Sequence, residues 1–229
     1  MTLRPEEWDA LWLSLQVSVW AVVLSLPLAL FVAWMLARRE FPGKSLLSAL
    51  VHLPLVLPPV VTGYALLLAF GRNGPLGKVL ADWGITLAFH WTGAALAAAI
   101  MGFPLVVRAI RLAIEAVDPK LEQAAETLGA GRVSVFVLVT LPLIAPGILA
   151  GIVLGFAKAM GEFGATITFV ANIPGQTQTL PSAIYALLQV PGGEAAALRL
   201  GVLSLIVAIG AVLLSEWLAR RVAKRIGQK

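Results

Sequence analysis

Cysteine is absent from the 229 residues, and charge is scarce, with only 13% of positions Asp, Glu, Lys or Arg. The first absence excludes disulfides and thiolate metal sites and leaves the redox compartment unreadable. The second excludes an ordinary soluble domain, which carries roughly twice that charged share. Histidine is nearly missing. His52 and His90 share no metal-ligand spacing with each other or with nearby carboxylates, so they read as core or interfacial side chains. No Ser–His–Asp set and no convergent carboxylate pair is present, which speaks against an enzyme. The N-terminal stretch is not expected to act as a signal peptide: Glu6, Glu7 and Asp9 precede the first apolar run, which is too long for a signal h-region.

What the chain has in quantity is apolar surface, 59% of residues, gathered into uncharged runs. A helix needs about 20 mostly apolar residues to cross the hydrocarbon layer of a membrane. Five segments are expected to do so: Leu11 to Ala37, Leu46 to Phe70, Trp91 to Val107 (extending to about Ile114), Val133 to Ala157, and Leu200 to Ala219. The interval Phe163–Gly193 is also uncharged, but Pro174-Gly-Gln-Thr-Gln-Thr and Pro181 interrupt it. Its remainder, Leu180 to Val190, is too short to span and is expected to half-cross or to pack at the outer surface. Trp8, Trp12, Trp83, Trp91 and Trp217 lie near the span borders, where an aromatic belt accounts for them.

Five spans place the termini on opposite sides. With the C-terminus inside, Arg38, Arg39, Lys44, Arg108, Arg111, Lys120, Arg132, Arg220, Arg221, Lys224, Arg225 and Lys229 are cytoplasmic, leaving Arg4, Arg72, Lys78, Lys158 and Arg199 outside. Basic residues concentrate on the cytoplasmic side of membrane proteins, so the N-terminus is expected outside. The same rule accounts for the net charge of +5 without nucleic acid.

One polar island then faces the cytoplasm. Asp118-Pro119 is a helix start, because Asp caps and Pro suits the first helical position. Leu121, Ala124, Ala125 and Leu128 form an apolar stripe, opposite Lys120, Glu122, Gln123 and Glu126. Gly129 and Gly131 end the helix or turn the chain. Periodicity alone leaves two readings: a loop helix packed on its own bundle, or one presented to a partner.

The spacing resembles the EAA loop of ABC importer permeases: E-A-A, three residues, G, nine residues, I, any residue, L-P. Here it reads Gln123-Ala124-Ala125, Gly129, then Val139 and Leu141-Pro142. Gln123 stands at the glutamate place and Val139 at the isoleucine place. Glu122 or Glu126 is expected to take over the charged contact. His52-Leu-Pro-Leu-Val-Leu-Pro-Pro-Val-Val, Phe41-Pro-Gly-Lys-Ser, Gly161-Glu-Phe-Gly-Ala-Thr-Ile and Ile173-Pro-Gly are similar to the molybdate branch of these permeases, from about Trp8 to Arg220. Sulfate and thiosulfate permeases share the Gly-Glu-Phe-Gly stretch and much of the loop.

The resemblance implies an all-α, polytopic membrane bundle of about five transmembrane helices, type I ABC importer permease-like. It implies one transmembrane domain over 1–229, with a cytoplasmic coupling loop at about 115–134. The implied assembly in the inner membrane is a homodimer with two cytoplasmic ATPase subunits and a periplasmic or extracellular oxyanion-binding protein. Molybdate or tungstate would pass by alternating access, with ATP-Mg bound on the ATPase and no cofactor or metal on this chain. The absence of a phosphate-binding loop agrees: the first-glycine positions before Gly43-Lys44-Ser45 and Gly77-Lys78 are Arg38 and Arg72.

Two further motifs are candidates for the pathway or gate. Pro58 and Pro59 interrupt an apolar span, and lipid does not repair the lost hydrogen bonds; the segment is either a packing kink or a pore-lining helix near the gate, with Thr62 supplying a hydroxyl. Lys158 and Glu162 stand four apart around Gly161, with Gly164 following. Either Lys158 snorkels outward and anchors the helix end, or the pair meets the anion; the glycines are expected to permit close contact across a dimer seam. An ion-coupled secondary transporter is disfavoured, since no internal repeat is visible and span centres hold almost no acids.

Overall fold

A computed structural model describes residues 4–226, and among these every regular element is helical. Lys229, and the side chains of Arg220, Lys224 and Arg225, lie outside the described residues.

Helix α1 (Pro5–Arg38) starts with Pro5 at its first position, while the Arg4 amide donates to the Glu7 carboxylate at 2.9 Å. It continues past Pro27 and ends at the basic pair Arg38-Arg39. The expected second span is not one straight helix. It is two helices, α2 (Lys44–Val56) and α3 (Pro59–Phe70), with axes 111° apart. The cause is local: a residue before proline is driven to extended backbone, and both Leu57 (ψ 142°) and Pro58 (ψ 133°) adopt it. Pro59 then opens α3, where its missing N–H is harmless.

The short α4 (Pro75–Asp82) leads to α5 (Trp91–Glu115), the centre of the bundle, with 67% of its apolar stretch buried. Ala94, Ala95, Ala97 and Ala98 let α1 approach α5 closely. Lower on α5, Val106, Val107, Ile110 and Ile114 form a second cluster with Ala29, Val32, Ala33 and Leu36 of α1. The polar island forms α6 (Pro119–Thr127). It is followed by α7 (Arg132–Val135), a π turn (Phe136–Thr140) and α8 (Leu141–Met160), together one long rod. Only 17% of that rod's apolar stretch is buried, so it faces lipid or another subunit.

The interrupted interval beyond resolves into α9 (Gly164–Val170) and α10 (Leu180–Leu188). Leu180 is fully buried and its amide donates to Ser14 Oγ at 2.7 Å, so the start of α10 is anchored on α1, while Tyr185 and Leu188 toward its end are exposed. Helix α11 (Glu194–Ile226) closes the chain, with Arg199 paired to Glu7 at 2.7 Å. The start of α1 thus meets the start of α11, and the end of α1 meets the island. Among the described residues, four helices or rods are long and apolar enough to cross a membrane, or five spans if the bent pair counts as one.

Candidate functional site

The island assembles much as its residues suggest. Asp118 accepts from the Lys120 amide at 2.9 Å, and Pro119 occupies the first turn. At the far end Gly129 adopts φ +87°, the left-handed turn that favours glycine, with the Ala130 amide returning to the Ala125 carbonyl at 3.1 Å. Gly131 has ordinary backbone and stands at the start of α7. Burial bears on the choice left open by periodicity. No residue of α6 is buried, and Leu121 and Leu128 are 50% and 88% exposed, so the apolar stripe is not packed on its own bundle.

The carboxylates separate into two roles. Glu122, expected on the outward polar face, turns toward its own subunit. It lies 3.3 Å from Arg38 Nε and accepts from Thr140 Oγ1 at 2.6 Å. Gln123 and Glu126 stay exposed. Leu141 and Pro142, the end of the motif, open α8 directly behind the π turn, where the Leu141 amide reaches the Phe136 carbonyl. Pro142 has no N–H for the ordinary bond, and the widened turn accommodates that loss. Arg38 and Thr140 are missed by sequence reading, because no local spacing connects them to Glu122.

The second group of candidates converges at the elbow between α2 and α3. Pro58 and Pro59 form the elbow, and α3 packs on α9. A Cβ at Gly164 would meet Pro59 Cβ at 2.7 Å, and one at Gly63 would run into the Ala165 carbonyl. The glycine expected at a dimer seam, Gly164, is therefore used inside the subunit to seat α9 on the elbow. Gly161 is exposed at the end of α8. Thr62 is buried, and its hydroxyl has no hydrogen-bond partner.

Lys158 and Glu162 pair at 2.5 Å; the Glu162 side chain is 1% exposed and that of Lys158 29%. Glu162 also accepts from the Ala165 amide at 3.0 Å, so it caps α9 while holding the lysine. Lys158 is thus a paired cation, not a free snorkelling anchor. The pair sits beside α1: neighbouring Met160 accepts from the Ser18 hydroxyl, in the middle third of that helix. His52 bonds the Ser48 carbonyl and His90 caps α5 through Thr92, which leaves both in structural roles.

Apolar rods, a broken helix seated on α9 and a polar helix left bare at one end are the parts of a helical subunit built for a membrane. The chain belongs to the family of binding-protein-dependent transport system inner membrane components, which it matches over residues 25–224. It is 61% identical to the molybdenum transport system permease protein ModB of Escherichia coli (strain K12), over all of both chains. The ModB protein of Haemophilus influenzae is 57% identical over 97% of each chain. The sulfate transport system permease protein CysT of Escherichia coli (strain K12) is 42% identical over 70% of this chain and 58% of that one. The same fold occurs in a bacterial alginate ABC transporter, in complex with an alginate pentasaccharide-bound periplasmic protein (TM-score 0.76, 19% identity, 96% of this chain and 81% of that one).

Proposed function

We propose that this chain is the transmembrane permease subunit of an ATP-driven molybdate or tungstate importer. Full-length identity of 61% to a molybdenum permease carries the substrate class, against a partial match to the sulfate protein. Two copies form the pathway, with the N-terminus outside and the C-terminus in the cytoplasm. A periplasmic binding protein delivers the oxyanion, and two ATPase subunits carry ATP-Mg. The distribution of basic residues supports this orientation, which puts twelve of them on the island's side and five on the other.

The coupling surface is Gln123, Ala124, Glu126, Leu128 and Gly129, with Ala125 behind them. Leu128, together with Leu121 on the same helix, supplies exposed apolar area, and the alanines let a partner's backbone come close. Closure of the ATPase dimer moves α6, and the motion passes to the ends of α5 and α8. The pathway runs by the elbow at Pro58 and Pro59, where the free hydroxyl of Thr62 and the backbone around Gly161 and Gly164 are the polar groups. An oxyanion must enter and leave, so weak donors suit the task better than an unpaired cation. Pairing Lys158 with Glu162 removes such a trap.

The purified chain is expected to hydrolyse no ATP by itself. Hydrolysis should appear with the ATPase subunit and rise further with the molybdate-loaded binding protein in proteoliposomes. Hydrolysis by the permease alone, or none gained with the loaded binding protein, would remove this reading.

A further inference from the structure

Helix α6 has no buried residue, yet it must move membrane helices, so the contacts that hold it to them decide what moves. Among the described residues, the side-chain bonds from α6 to other elements all pass through Glu122. One carboxylate oxygen lies 3.3 Å from Arg38 Nε, and the other accepts from Thr140 Oγ1 at 2.6 Å. Arg38 is the last residue of α1, and its Nη2 donates at 3.0 Å to the carbonyl of Val117, just beyond α5. Thr140 is 1% exposed and ends the π turn. One carboxylate therefore joins α6, the end of α1 and the start of α8, while Arg38 adds the end of α5.

Covalent connection already ties α6 to α5 and to α7, but nothing covalent links it to α1. A push on α6 would turn it about its two flanking loops without taking α1 along. The pair is held by charge more than by an aligned hydrogen bond, since Arg38 Nε has no bond of good geometry. Its side chains are only 18% and 20% exposed, which limits screening by salt. The threonine contact is a short hydroxyl-to-carboxylate bond, a strong class. A π turn is where a helix has a loosened ladder and readily bends. Thr140 anchors that turn to α6 at its last residue.

We propose that Glu122 is a positioning residue, a tether that makes α6, the end of α1 and the π turn move as one body, and that it does not contact the ATPase. This inference rests on the coupling role proposed for α6. It divides the acidic residues of the island: Glu122 transmits within the subunit, and Glu126 with Gln123 remains for the partner.

The test uses the complex reconstituted with its ATPase subunits and binding protein. Thr140→Val and Arg38→Gln are expected to co-purify ATPase subunits at wild-type stoichiometry while ATP-driven molybdate uptake falls roughly tenfold, within the usual range for a coupling free energy. Thr140→Ser, which keeps the hydroxyl, should retain uptake even though it loses a methyl that valine keeps. Wild-type uptake in Thr140→Val would overturn the tether, as would loss of ATPase co-purification in that variant, which would make this edge a docking contact. Equal defects in Thr140→Val and Thr140→Ser would also overturn it, because packing and not the hydroxyl would then be at work. Failure of the coupling reading itself looks different: Gly129→Val would then bind the ATPase and transport like the wild type.

Discussion

Valine in place of Gly129 should leave the permease inserted in the membrane at normal levels and lower ATP-driven uptake about tenfold. The residue stands at φ +87°, where a β-branched side chain is strained by about 1–2 kcal/mol. Nothing lies within 4 Å of the Cβ position, so backbone strain is the only cost within the isolated subunit. The chain relieves it by leaving the left-handed turn, which swings α7 relative to α6 and misplaces the exposed stripe. A free-energy change of this size alters an equilibrium by a factor of about 5–30. Asparagine tolerates the left-handed turn, so Gly129→Asn should keep most of the uptake. Immunoblots of membranes, ATPase co-purification and uptake are the measurements. A valine variant that binds and transports normally would show that the turn does not serve coupling.

Replacing Glu162 by alanine should cost about 3 kcal/mol of stability in detergent, the low end for breaking a buried ion pair. The low end applies because Lys158 keeps 29% of its side chain exposed. Alanine leaves the ammonium without its partner and strips the Ala165 amide of its acceptor. It also loosens α9, which seats the elbow through Gly164. The double variant Lys158→Met/Glu162→Gln removes both charges and keeps an oxygen to accept from Ala165. Its loss should be distinctly smaller. Unfolding midpoints in denaturant compare the three proteins. An alanine variant as stable as the wild type, or a double variant less stable than the single, would contradict the assigned role.

Much of this molecule is legible in its residues, and the reasons are local. Apolar runs and flanking charges mark spans because a bilayer imposes a fixed length. The capped start at Asp118-Pro119 and the turn at Gly129 follow from capping chemistry and backbone sterics, and both appear in the structure. What stays hidden is tertiary. Pro58 and Pro59 announce a break, but the 111° between the two helices and the seating of α9 against Pro59 appear only in the fold. Arg38 looks like an orientation charge, and only folding brings it to Glu122. Glu122 itself is misleading in sequence: it sits beside the motif on the polar face, yet its partners are inside the subunit. Likewise, Gly164 reads as a residue for a dimer seam, whereas Pro59 of the same chain occupies that space.

The proposed division of labour has α6 receive motion, Glu122 distribute it and the elbow respond, while the Lys158–Glu162 pair keeps its site neutral. Its central element is that the motion drives import of one kind of oxyanion. The most direct measurement is uptake into proteoliposomes containing the complete complex, with molybdate at low concentration and sulfate in large excess. Molybdate should accumulate only with ATP and the binding protein, undiminished by sulfate. Equal competition by sulfate would assign the chain to the sulfate permeases, and uptake driven by an ion gradient without ATP would contradict the account altogether.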